Sequence, residues 1–161
     1  MLLYLLRHGQ AVNSAPTDFE RELTADGTRD SANVGTFLAG MHIQCTHAFV
    51  SPLVRAQQTL RAVLASLPDV PVETTEYLTP ESDPRNILEL LRTLPSESRV
   101  LLVTHEPFVS ACISTLISSS ETALVAMKPA TIACIETRGI PVRGSGTLRW
   151  LLPPETLRPK Q

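Results

Sequence analysis

Two arginines and two histidines stand where short apolar runs end in this 161-residue sequence. "LLYLL" at residues 2–6 leads straight into Arg7, His8 and Gly9. "HAFVS" at 47–51 opens the stretch "SPLVRAQQT", which carries Arg55. "RVLLVTH" at 99–105 ends in Thr104 and His105, followed by Glu106 and Pro107. Singly, each has an ordinary reading: a solvated strand end, an arginine paired with an acid, a capping histidine. Together they suit phosphate. Arginine forks match phosphoryl oxygens with paired hydrogen bonds, and a neutral imidazole can act as a nucleophile and form a covalent intermediate.

Arg55 is the most telling of the four. It falls in the first turn of its predicted helix, where the dipole disfavours a cation. Its helical phase is roughly 120° from the centre of the apolar stripe. Packing does not call for it, and an anion held at that helix end would resolve the electrostatic conflict. His42 and His47 flank Cys45 and read as ordinary loop residues. The chain has no Walker-type glycine loop, no HExxH and no carboxylate pair with metal-site spacing, so neither metal nor cofactor is expected.

The positioning elements follow from pattern. Residues 2–6 form a continuous apolar run, as in a strand buried on both faces. Residues 10–22 are a polar loop. Thr24 caps a helix over 25–40, with Val34, Phe37, Leu38 and Met41 on one apolar stripe. Residues 47–51 form a strand. Ser51 as cap and Pro52 at the first position then start a helix, whose apolar face holds Leu53, Ala56, Leu60, Val63, Leu64 and Leu67. A weak strand over 72–78 and a helix over 84–94 come next. A central strand over 99–105 follows, then a helix over 107–117. "SSSET" at 118–122 reads as a loop with a helical turn over 122–127, and strands over 130–137 and 146–152 close the chain. Alternating strands and helices predict a three-layer α/β/α sandwich with a mostly parallel sheet. Residues 1–152 form the domain and 153–161 a peripheral tail. Ligands of such sheets sit beyond the carboxyl ends of the strands, which is where Arg7, His8, Arg55 and His105 fall.

Composition removes several other classes. The chain is 43% hydrophobic and 19% charged, as a globular protein is, rather than a disordered one. With a net charge of -2 and 4% aromatics, it lacks the basic excess and stacking surface of a nucleic-acid binder. No apolar run approaches a membrane span, and residues 1–6 are too short for a signal segment. The cysteines at 45, 112 and 134 are odd in number and lack metal-site spacing, as reduced thiols of a cytoplasmic protein would be.

"LLRHGQA", "RELTADG", "SPLVRAQQT" and "VTHEP", in this order and spacing, resemble the histidine phosphatase superfamily, the phosphoglycerate mutase-like group. The small size, "RHGxA" and "LTxxG" are most similar to its phosphohistidine phosphatase branch, the SixA type. The resemblance runs over about residues 1–152. It implies that His8 is the nucleophile that becomes phosphorylated, that Arg7, Arg55 and His105 hold phosphoryl oxygens, and that Arg21 contacts substrate at the pocket rim. It implies a partner carrying phosphohistidine, a phosphotransfer domain or phosphocarrier protein, with inorganic phosphate as product.

Many larger members use a glutamate to protonate an alkoxide leaving group. Here Asp18, Glu76, Glu81 and Glu106 are candidates by position, and each also reads as an ordinary surface carboxylate. A phosphohistidine leaving group is an imidazole, with a reference pKa of about 6.5, and needs less acid help than an alkoxide. A pocket without a clear acid therefore fits N–P cleavage better than O–P cleavage. The alternatives are a phosphatase of small phosphate esters and a non-catalytic module that binds phosphate or a phosphoprotein.

Overall fold

The computed structural model describes residues 1–118 and 123–159. The apolar runs become the middle of one sheet. Its strands are β1 (Leu2–Arg7), β2 (His47–Val50), β3 (Val72–Thr74), β4 (Arg99–Thr104), β5 (Ile132–Thr137) and β6 (Gly146–Leu152). They lie in the order β3-β2-β4-β1-β5-β6. The first four in that order are mutually parallel, whereas β5 runs antiparallel to β1 and β6 antiparallel to β5.

Helices cover both faces, which completes the three layers. On one side α1 (Ala25–Gly40) and α2 (Val54–Leu64) bring Val34, Leu38, Ala56, Leu60 and Val63 onto Tyr4, Leu6, Val50, Leu101 and Val103. On the other, α3 (Asn86–Arg92) and α4 (Phe108–Ile117) bring Ile87, Leu91, Phe108, Val109 and Ile113 onto Leu3, Leu5, Val100 and Leu102. Neighbours along β1 and β4 thus point to opposite faces, as the two-residue period of a strand requires. Each fully buried leucine contributes on the order of 1.5–3 kcal/mol to holding the layers together.

The start of α1 follows its sequence signal: Thr24 Oγ1 accepts from the Gly27 amide at 3.0 Å. The start of α2 does not. It begins at Val54, capped by Leu53 with no side-chain cap, instead of at Pro52. The Ser51 hydroxyl is shared between the Leu53 amide, 3.4 Å away, and His105, and regular helix starts only after Leu53. Met41 is the residue after α1 and is exposed, outside the apolar stripe assigned to it. The strand expected over 72–78 is shorter. It is an exposed three-residue edge strand, followed by a 3-10 turn over Glu76–Leu78.

Of the loop and helical turn expected over 118–127, residues 119–122 lie outside the described residues. Residues 123–127 form no helix; the Val125 carbonyl accepts from Ser110 Oγ and the Met127 carbonyl from Arg7. The tail forms a single turn, α5 (Pro154–Leu157), and Arg158 Nε and Nη2 donate to the two carboxylate oxygens of Asp30 on α1 at 3.0 and 2.8 Å. Among the described residues no helix is long and apolar enough to cross a membrane.

Candidate active site

Three adjacent parallel strands set the site. Arg7 is in register with Thr104, and Val50 with Val103, so β1, β4 and β2 end side by side. Strand pleating does the rest. Leu6 and Val103 face α1 and α2, so Arg7 and Thr104 face the other layer, and His8 and His105 turn back toward α2. Thr104 Oγ1 accordingly donates to the Leu78 carbonyl at 2.6 Å, on the α3 side. The His8 and His105 rings come to rest with centroids 4.9 Å apart.

His8 is held as a specific tautomer. Its Nδ1 lies 2.7 Å from the Gly9 carbonyl, which can only accept, so Nδ1 carries the ring proton. Nε2 therefore presents its lone pair, and Arg55 Nε–H donates to it at 3.3 Å. Both side chains are buried, His8 at 8% and Arg55 at 4% relative exposure. Burial foremost, then the cations Arg55, Arg7 and Arg21, pushes the His8 imidazole down to about 4, against the opposing pull of the Gly9 carbonyl. The ring is neutral at pH 7, as nucleophilic attack requires.

Arg7 and His105 flank it. Arg7 Nη1 donates to the Met127 carbonyl at 2.7 Å, and His105 Nε2 lies 2.7 Å from Ser51 Oγ. Ser51 Oγ also accepts from the Leu53 amide at 3.4 Å. The Ser51 hydroxyl thus lies between the Leu53 amide and the His105 ring. His105 is driven down to about 3, first by burial and then by His8 and Arg55, with Asp18 opposing. Arg7 Nε and His105 Nδ1 are buried without a hydrogen-bond partner among the described residues. Buried polar atoms are nearly always paired, and oxygens of an anion beside His8 would pair both.

The structure thus brings Arg7, His8, Arg55 and His105 together. Arg21 sits at the rim: its Nε donates to the Val12 carbonyl at 2.7 Å and its charge reaches His8. The acid candidates fare differently. Asp18 is at the site, but hydrogen bonds from Arg21 and then Arg55 hold its carboxyl below the usual range, so it is ionised and carries no proton to give. Glu106 accepts from the Ser110 hydroxyl and is partly buried, while Glu76 and Glu81 face solvent. Among the described residues, none of these three glutamates hydrogen-bonds to His8, Arg55 or His105. Nor does any group of three or more His, Cys, Asp or Glu side chains gather among them in a way that could hold a metal ion.

Four supporting residues escaped the sequence reading. Ser51 partners His105. Thr59 Oγ1 accepts from the Gly9 amide at 3.0 Å and donates to the Arg55 carbonyl at 2.7 Å, tying the turn after His8 to the helix of Arg55. Both lie inside "SPLVRAQQT", a stretch whose polar residues packing alone does not explain. Met127 and Ala130 act through backbone, which leaves no side-chain signal; Ala130 N–H reaches the carbonyls of Arg7 at 3.2 Å and His8 at 3.0 Å from a left-handed φ of 59°. Two glycines of the motifs have a steric reason. A Cβ on Gly9 would lie 2.5 Å from the Gly27 carbonyl oxygen, and one on Gly27 would overlap the Gln10 carbonyl. The turn after β1 can rest on the start of α1 only because neither has a side chain.

Residues 3–79 match the family model described as histidine phosphatase superfamily (branch 1). The phosphohistidine phosphatase SixA of Escherichia coli (strain K12) is 32% identical over 118 residues, which cover 71% of this chain and 73% of that protein. The chain belongs to the histidine phosphatase superfamily. Within this superfamily it sits with the SixA branch: the SixA homolog of Haemophilus influenzae (strain ATCC 51907 / DSM 11121 / KW20 / Rd) is 30% identical over 126 residues, covering 71% of this chain and 76% of the homolog. A solved structure of the protein histidine phosphatase SixA complexed with tungstate superposes with a TM-score of 0.89 at 28% identity, covering 98% of this chain and all of that one. A phosphoserine phosphatase from Entamoeba histolytica shares the fold at a TM-score of 0.72 and 18% identity, covering 98% of this chain and 99% of its own.

Proposed function

We propose that the protein is a phosphohistidine phosphatase that works through a phosphorylated His8. The observation that carries this reading is the state of His8: a buried, neutral ring with Nδ1 pinned by the Gly9 carbonyl and the Nε2 lone pair set against Arg55. In the first step Nε2 attacks phosphorus in line. The His8 N–P bond forms as the bond to the leaving imidazole breaks, and that imidazole departs neutral, with the proton that the substrate's other ring nitrogen had already taken from water. Arg7, Arg55 and His105 take the equatorial oxygens, whose charge they stabilise. Water then attacks phospho-His8, the N–P bond breaks, and inorganic phosphate leaves. Arg21 meets the substrate at the rim.

The leaving group decides the substrate class. With Asp18 ionised and Glu76, Glu81 and Glu106 making no hydrogen bond to His8, no carboxylate among the described residues is set to hand over a proton there. An imidazole leaves without a strong acid, and an alkoxide does not. The substrate is thus a protein carrying phosphohistidine, a phosphotransfer domain or phosphocarrier, met in the cytoplasm. Residues 1–152 supply the catalytic domain.

The test is dephosphorylation of a panel of phosphohistidine proteins beside sugar and nucleotide phosphates. Wild-type protein is expected to prefer the phosphoproteins and to form an acid-labile label on His8. His8→Ala should lose at least about a thousandfold in rate. A higher kcat/KM on any ester would replace this reading with that of a small-molecule phosphatase, and phosphate binding without labelling would replace it with that of a binding module.

A further inference from the structure

Asp18 hydrogen-bonds through its carboxylate to two of the phosphate-handling residues. Its Oδ1 accepts from Arg21 Nη1 at 3.0 Å and its Oδ2 from Arg55 Nη2 at 2.9 Å. Its own backbone carbonyl accepts from Arg55 Nη1 at 2.6 Å. Both terminal nitrogens of Arg55 are therefore gripped by one residue, and the Nε–H edge is left turned to His8 Nε2. A carboxylate spent on two guanidinium groups is poorly suited to giving a proton. It is well suited to aiming one of them.

We propose that Asp18 is a positioning residue: it clamps the outer end of Arg55 so that the Nε–H edge meets the phosphoryl group as it arrives at His8. The anchoring of its loop fits the role. The neighbouring Phe19 carbonyl accepts from the Val54 amide at 3.1 Å, at the first residue of α2. The loop carrying Asp18 and the helix carrying Arg55 are thus joined twice, once by backbone and once by the clamp. Arg55 needs such a clamp because a long side chain otherwise spreads over many rotamers, and a small misplacement of a charge-stabilising group costs a large factor in rate. Arg21 completes the arrangement by holding the second carboxylate oxygen, which fixes the plane of the Asp18 carboxylate. This proposal rests on the reading of His8 and Arg55 as the phosphoryl-handling pair.

The experiment compares Asp18→Ala, Asp18→Asn and Asp18→Glu in the full chain on two substrates, p-nitrophenyl phosphate and a phosphohistidine protein. The aryl phosphate has a leaving group that departs without a proton. A positioning role predicts that Asp18→Ala lowers kcat/KM by about 10- to 100-fold on both substrates by similar factors, and weakens inhibition by inorganic phosphate. Asp18→Asn keeps one side-chain acceptor and the backbone carbonyl, and is expected within about tenfold of wild type. Asp18→Glu moves the acceptor by one methylene and should lose about tenfold although its charge is retained. It also serves where the alanine variant fails to fold. Activity of Asp18→Ala within twofold of wild type overturns the proposal, as does full activity of Asp18→Glu. A loss confined to the phosphohistidine protein, with the asparagine variant as poor as the alanine one, would make Asp18 a proton donor instead. Wild-type failure on the phosphohistidine protein would refute the proposed substrate while leaving the aryl phosphate series to judge Asp18.

Discussion

Acid titration gives the most direct test of how His8 is prepared. Burial and three arginines bring its imidazole to about 4 from an ordinary value of about 6.5. At pH 5 about 90% of the rings are then neutral, against about 3% for an unperturbed histidine. Nucleophilic competence at pH 5 thus differs about thirtyfold between the two cases. The assay is a proton NMR titration of the His8 ring, assigned with His8→Ala, run beside kcat/KM for p-nitrophenyl phosphate corrected for the substrate's own ionisation. The His8 midpoint and the acid limb should fall together, well below 6. A midpoint near 6.5 would refute the argument, because it would mean that water solvates the ring and that the arginines do not act on it.

The same protonation difference acts on stability, and its sign is fixed. The unfolded chain takes up a proton at His8 near pH 6.5, while the folded chain resists until about 4. Stability is therefore unaffected above about 6.5 and falls as the pH drops toward 4. Each factor of ten in proton affinity is about 1.4 kcal/mol, so His8 alone can remove on the order of 3 kcal/mol by pH 4. His105, held at about 3, acts in the same direction and over a wider range. Denaturant melts of His8→Ala should show a shallower loss between pH 6.5 and 4 than wild type. Equal slopes would show that the ring is not held neutral by the fold.

Three substitutions probe the supporting contacts. Ser51→Ala leaves the buried His105 Nε2 without its 2.7 Å partner and should reduce kcat by about tenfold and lower the thermal midpoint by a few degrees; unchanged kinetics would remove Ser51 from the site. Gly27→Ala drives a Cβ into the Gln10 carbonyl and is expected to cost about 1–3 kcal/mol in a urea melt, with activity falling as the His8 turn shifts. Arg158→Ala breaks the ion pair to Asp30 and should leave the thermal midpoint nearly unchanged, with kcat/KM unchanged, since the pair fixes only the tail.

Much of this molecule was legible because its signals are local. Residues 25–40 carry a capping threonine before them and an apolar stripe within, and the helix has those bounds. Arg55 stands out in the sequence where packing and the helix dipole both oppose it, and the structure sets its Nε 3.3 Å from His8 Nε2. What misled was local chemistry diverted to distant partners. Ser51 and Pro52 look like a helix start, yet the Ser51 hydroxyl is shared between the Leu53 amide and His105, its carbonyl accepts from Gln57 Nε2 at 2.9 Å, and α2 begins later. Residues 123–127 are held against Ser110 and Arg7 through two of their carbonyls, contacts with partners distant in sequence that local pattern does not show. Asp18 could be suspected from its type but not given its role, because the clamp involves an arginine 37 residues away.

Strand order explains why the rest was hidden. The sequence shows three apolar runs that end in polar residues, but not that β4 lies between β1 and β2. Parallel neighbours are about 4.8 Å apart. Placing β4 in the middle therefore puts His105 one strand spacing from His8 on one side and within reach of Ser51 on the other, and the observed 4.9 Å and 2.7 Å follow. Register decides which side of the sheet the rings take. A shift of one residue in the pairing of β1 with β4 would turn His8 away from His105 and present Arg7 to α2 in its place. The apolar positions that fix this register, Leu3 and Leu5 toward one layer and Tyr4 and Leu6 toward the other, are thus as necessary to the chemistry as the histidines themselves.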